Sequence, residues 1–142
     1  MRGAALLLAL LPAAALAQRP QGEAGVSAHW TADQVAWYGL AGATWPAGTY
    51  ARLSAIGAMA FADPGRDARG DLVARVILDP YRRSRFGFSF GGGVSLGRSS
   101  RLLAVAEMEG PRWRGVSPAL QAGIGGGWRA GIRVRGARPG RR

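Results

Sequence analysis

The chain contains no cysteine, no lysine and no asparagine, and a single histidine, His29. Without cysteine there is no disulfide scaffold, thiolate metal site or cysteine nucleophile, and one histidine cannot build a multi-histidine metal centre. Because lysine is never used, all 19 basic residues are arginine. That marks compositional bias more than a dedicated phosphate-binding surface, although each guanidinium can still grip an oxyanion in its fork. Acidic residues number only 8, so the formal charge is +11 over 142 residues. Beyond the N-terminus no apolar run approaches the ~20 residues of a membrane-spanning helix. What is present is a 48% hydrophobic, 19% charged composition, which lies outside the regime of disorder and suits one domain.

The N-terminus has the layout of an export signal. Arg2 supplies a positive start, Ala4 to Ala17 are uncharged and apolar apart from Pro12, and Ala15-Leu16-Ala17 offers small residues at the −3 and −1 positions of a peptidase site. No cysteine follows, which excludes lipoprotein processing. Cleavage of 17 residues from 142 leaves 125 beginning at Gln18, and losing Arg2 lowers the charge from +11 to +10. The expected organisation is a signal peptide over 1–17, one domain over 18–135 and a basic, disordered tail over 136–142.

The rest of the chain has a period of two. From Arg85 to Gly97, Phe86, Phe88, Phe90, Gly92, Val94 and Leu96 alternate with Gly87, Ser89, Gly91, Gly93, Ser95 and Gly97, giving an apolar face and a small or polar one. Similar alternation predicts strands over Asp71 to Asp79, Arg101 to Glu109 and Trp128 to Arg135. Weaker candidates are Gly25 to Trp30, Val35 to Thr44, Tyr50 to Phe61 and Pro118 to Ile124. Alanine and glycine are poor strand formers, and the Ala-rich segment from Tyr50 also has helical character; its strict alternation and Gly57 favour a strand. Turn chemistry lies between them at Trp45 to Gly48, Asp63 to Arg66, Asp79 to Arg82, Gly97 to Ser100 and Gly125 to Gly127. Six to eight antiparallel strands with such punctuation read as an all-β meander, either a closed barrel or a sandwich.

Alternation alone does not say which face is buried. A soluble barrel or sandwich turns its apolar face inward, whereas an outer-membrane barrel turns it toward lipid and keeps polar groups in its lumen. Three features favour the second arrangement. The polar face of the Phe-rich strand is glycine and serine, which suits a crowded interior better than a watery exterior. Arg52, Arg75, Glu107 and Glu109 share the inner face on different strands, as a lumen charge network would. Trp30, Trp45, Tyr50, Tyr81, Trp113 and Trp128 fall near strand ends, where interfacial girdles sit.

In this organisation the region from Gly25 to Arg135 resembles the small bacterial outer-membrane β-barrels of eight antiparallel strands. The likeness rests on the signal peptide, alternation, glycines and turn spacing, not on a family-specific motif. It implies an antiparallel meander closed into a small barrel of about eight strands, a lumen filled by side chains, and a structural or surface-interaction role without catalysis. The alternative is a soluble periplasmic barrel or sandwich that binds an apolar or anionic ligand.

Other chemistry is sparse. The basic stretch Arg133, Arg135, Arg138, Arg141 and Arg142, with the loop pair Arg82 and Arg83, offers contacts for an anion or lipid phosphate, and in an envelope the partners in reach are outer-membrane lipid and lipopolysaccharide. Export argues against nucleic acid, and a monomer is expected. Ser27, His29 and Asp33 hold the side-chain types of a lipid hydrolase, a remote reading because adjacency in sequence is not triad geometry. Gly91 to Gly93 and Gly123 to Gly127 open no helix and complete no phosphate loop. No cofactor and no metal are expected.

Overall fold

A computed structural model describes residues 19–61, 67–81 and 84–136. Its strands are β1 (Gln21–Trp30), β2 (Val35–Pro46), β3 (Ala51–Ala60), β4 (Ala68–Ile77), β5 (Gly87–Leu96), β6 (Arg101–Glu109), β7 (Val116–Ile124) and β8 (Trp128–Gly136). Each pairs antiparallel with the next, and β8 pairs with β1 to close the barrel. All eight candidate segments are strands, including the Ala-rich β3. Boundaries move by a few residues where alternation is weak. β1 begins at Gln21 and β4 at Ala68, ahead of their regular apolar spacing, because ladder pairing to neighbours carries the strand further than side-chain pattern does. The signal-like N-terminus, the Asp63 to Arg66 turn, Arg82, Arg83, and the tail residues Arg138, Arg141 and Arg142 lie outside the described residues.

Closure gives each strand an inside and an outside. Outward positions read Ala24, Val26, Ala28, Trp30 on β1 and Phe88, Phe90, Gly92, Val94, Leu96 on β5, and the other six strands follow suit. No Asp, Glu, Arg, His, Ser, Thr or Gln stands at an outward strand position among the described residues. Leu102 is 82% exposed and Met59 64%. Tryptophans gather toward both ends, Trp30, Trp37 and Trp128 at one, Trp45 and Trp113 at the other, where Tyr50 also hydrogen-bonds Tyr81. That bond pushes the Tyr50 phenol above its ordinary pKa.

The inside is layered. Tyr38, Leu40, Ile56, Ala58 and Ala60 form one apolar cluster, and Val73, Leu103 and Val105 another. Charged side chains lie toward each mouth. Glycines make room for this filling: a Cβ on Gly91 would stand 1.9 Å from the Ala74 carbonyl oxygen, and one on Gly93 1.8 Å from that of Leu72. These inward-facing positions on β5 let β4 approach closely enough to curve a narrow wall.

Candidate functional site: a charged lumen

The polar face that alternation assigned to each strand becomes, on closure, a buried ion network near the chain ends. Arg135 on β8 sits opposite Glu23 on β1 across the closing seam. Its guanidinium donates to Glu23 Oε2 at 3.0 Å, Glu107 Oε1 at 2.9 Å and Glu109 Oε2 at 3.3 Å, with only 1% of the residue exposed. Arg52 donates to Glu109 at 2.8 Å, and Arg75 lies 3.6 Å from Glu107 while donating to Ser54 Oγ at 2.7 Å. Ser54 in turn shares a 2.7 Å hydrogen bond with Thr44. The structure thus brings Arg52, Arg75, Glu107 and Glu109 together and adds Glu23, Arg133, Arg135, Ser54 and Thr44.

Arg133 and Arg135 require a correction. They were expected to face an external anion or lipid phosphate, but both point into the lumen, 5% and 1% exposed. Arg133 lies 3.5 Å from Glu23 Oε1, and Arg135 is held by three carboxylates. On a strand only every second residue faces outward, and there Trp128, Ala130, Ile132 and Val134 occupy those places. The signal was available in the sequence, since the rule that put Glu107 inside also puts these arginines inside. It was obscured by grouping them with the basic residues that follow.

Glu23 was missed because its neighbours Gly22 and Ala24 give β1 little contrast between faces. The charges at the other mouth were missed for a different reason. Arg69 and Asp71 stand on β4 and Arg129 on the distant β8, and Arg129 donates to Asp71 Oδ2 at 3.1 Å, to Ser95 Oγ at 3.2 Å and to the Gly125 carbonyl at 3.2 Å. Arg69 lies over the Tyr38 ring at 3.9 Å.

The residues of the hydrolase reading are not assembled. His29 Nδ1 faces Arg69 at 3.5 Å, the Ser27 hydroxyl is buried without a hydrogen-bond partner, and Asp33 is on the exposed 31–34 turn. Glu107 is ion-paired with Arg75 and Arg135, and Glu109 with Arg52 and Arg135. Among the described residues no group of His, Asp and Glu could hold a metal ion. The chain matches no protein-family model, and no curated protein matches it, so the site rests on its geometry.

Proposed function

We propose that the chain is an exported, monomeric outer-membrane-type β-barrel with a structural or surface-interaction role, and that it is not an enzyme. One observation carries the reading: the outward face of all eight strands is free of charged residues, while the charges of the strands are turned inward. Burial of a charge is costly unless it is paired. A barrel bathed in water has no reason to hide its charges and expose Phe88, Phe90, Leu102 and Ile132, whereas one in hydrocarbon has both reasons at once. Strands of 9–12 residues match the ~9–11 needed to cross a bilayer at a tilt. Tryptophans toward both ends suit the two interfaces.

In the soluble alternative Phe86, Phe88 and Phe90 would line a core or ligand cavity. Their outward placement, about half exposed, favours lipid. The lumen is filled by apolar and ion-paired side chains between its mouths, which fits a structural or surface role and not a general diffusion pore.

Fractionation of expressing cells tests the placement, followed by electrophoresis of heated and unheated samples. Recovery in the outer membrane after a urea wash, with migration that changes on heating, is expected. Recovery as a soluble periplasmic protein would overturn it.

A further inference from the structure

The connection from β6 to β7 reads Gly110-Pro111-Arg112-Trp113-Arg114-Gly115, an aromatic ring between two guanidiniums, and residues 111–115 are all exposed. It is a built hairpin and not a slack loop. Trp113 and Val116 exchange two backbone hydrogen bonds, at 2.8 and 2.9 Å, and the Gly110 N–H donates to the Pro118 carbonyl at 2.7 Å. Pro111 and Arg112 thus stand against Ser117 alone, two residues opposite one as in a β-bulge. At the tip both Arg114 (φ 47°) and Gly115 (φ 82°) have positive φ, the type I′ pattern. Among the described residues Arg114 is the single non-glycine in that region of backbone space, where Asp or Gly, both used elsewhere in the chain, fits at less cost. A strained choice at an exposed tip points to a use for the side chain.

The geometry supplies that use. Residues opposite each other in an antiparallel pair share a face, so Trp113 stands with Val116 on the outer wall, in line with Pro118 and Leu120. It is 66% exposed at the end of the apolar band, with Trp45, Tyr50 and Tyr81 at the same mouth. The Arg114 guanidinium lies over its ring at 4.9 Å and forms no ion pair with a described residue. Apart from the buried Glu23, Glu107 and Glu109, the one carboxylate at this mouth among the described residues is Asp79, which lines the inner recess beside Arg112 and not the outer wall. The segments 82–83 and 137–142 contain no acidic residue. Stacking on a ring leaves a guanidinium charged, with its edge able to pair with a phosphate, and tryptophan settles where hydrocarbon meets headgroups. We infer that Trp113 and Arg114 form a docking point for an anionic phospholipid in the leaflet at the chain-end mouth, the ring at the acyl boundary and the guanidinium on the headgroup phosphate. The inference rests on the membrane placement proposed above.

The test refolds the full barrel from urea into phosphatidylcholine vesicles that carry a minor fraction of a lipid brominated near the head of its acyl chains, either phosphatidylglycerol or phosphatidylcholine. Bromine quenches tryptophan at close range, and the quenching lost on Trp113→Phe isolates that ring. Phosphatidylglycerol is expected to be enriched at Trp113 about fivefold over phosphatidylcholine, the effect of one arginine beside an anionic surface. Arg114→Asn should abolish the enrichment while the heat-dependent migration stays intact, because Asn-Gly is a preferred type I′ pair and the hairpin loses only its cation. Arg101→Gln, at the opposite mouth, should leave the enrichment unchanged. Insertion with equal quenching by the two lipids, or enrichment that survives Arg114→Asn, overturns this inference alone. Failure to insert into either vesicle overturns the membrane placement and this inference with it.

Discussion

Arg133 and Arg135 are two residues apart on β8, on the same inward face and both nearly inaccessible, yet replacing each by methionine should have very different consequences. Arg135 contacts three carboxylates at 2.9–3.3 Å. At an effective dielectric of ~20, one pair at ~3 Å is worth about 5 kcal/mol before desolvation. Desolvation takes back several kcal/mol per ion, and breaking a buried network by deleting one member typically costs ~3–5 kcal/mol, because the stranded partners remain buried. Arg135→Met takes the nearest guanidinium from Glu23 and Glu107, leaving them the longer contacts to Arg133 at 3.5 Å and Arg75 at 3.6 Å, while Glu109 keeps Arg52 at 2.8 Å. Arg133 has one contact, at 3.5 Å, to a carboxylate that Arg135 already holds, and its Nε and one Nη make no hydrogen bond. It also lies within the repulsive reach of Arg75 and Arg135. Arg133→Met therefore removes a poorly compensated cation and leaves Glu23 paired, for a change of about 1 kcal/mol or less in either sign. Urea unfolding of the barrel from lipid vesicles, followed by tryptophan fluorescence, resolves the two. With a slope of ~2 kcal/mol per molar, Arg135→Met should lower the midpoint by about 2 M and Arg133→Met by well under 1 M. Equal losses would refute the assignment of the network's strength to Arg135.

Three further outcomes follow from other parts of the barrel. Leu120→Arg places a charge at the middle of β7 on the outward face and should cost about 2–4 kcal/mol for unfolding from vesicles; an effect within ~0.5 kcal/mol, the level of an ordinary surface substitution, would argue for water outside. Gly93→Ala drives a methyl to 1.8 Å from the Leu72 carbonyl and should prevent the heat-sensitive compact band from forming. Gly92→Ala points outward, meets only the Leu103 carbonyl at 3.3 Å, and should fold; the same electrophoresis compares them. Ser54→Ala leaves Arg75 Nη1 and the Thr44 hydroxyl without their buried partner and should destabilise by about 1–3 kcal/mol in the same urea assay.

Period two in the sequence was enough to determine that the chain is all-β, to locate eight strands, and to sort each strand's residues into two faces. It worked best where the faces differ most, as in β5, with phenylalanine against glycine and serine. It blurred in β1, where Gly22 and Gly25 stand on opposite faces, and at the start of β4, where the outward residues are only Ala68 and Gly70. The pairing of Arg52, Arg75, Glu107 and Glu109 was legible because all four stand on the face opposite apolar neighbours. The misreading of Arg133 and Arg135 came from treating a charge run as a surface patch in a segment where alternate residues face opposite sides.

Tertiary structure alone decided three things. Alternation is symmetric between faces, so only the closed sheet determined that the charged face is inside and the phenylalanines are outside. Register across the seam, which joins residues from opposite ends of the chain, put Glu23 against Arg135, a contact spanning 112 positions. The arginine-lined mouth likewise exists because β4, β8 and two turns arrive at one rim. A local pattern records which residues share a face of a strand; which strands meet, and what then stands opposite what, depends on how the sheet coils and closes on itself.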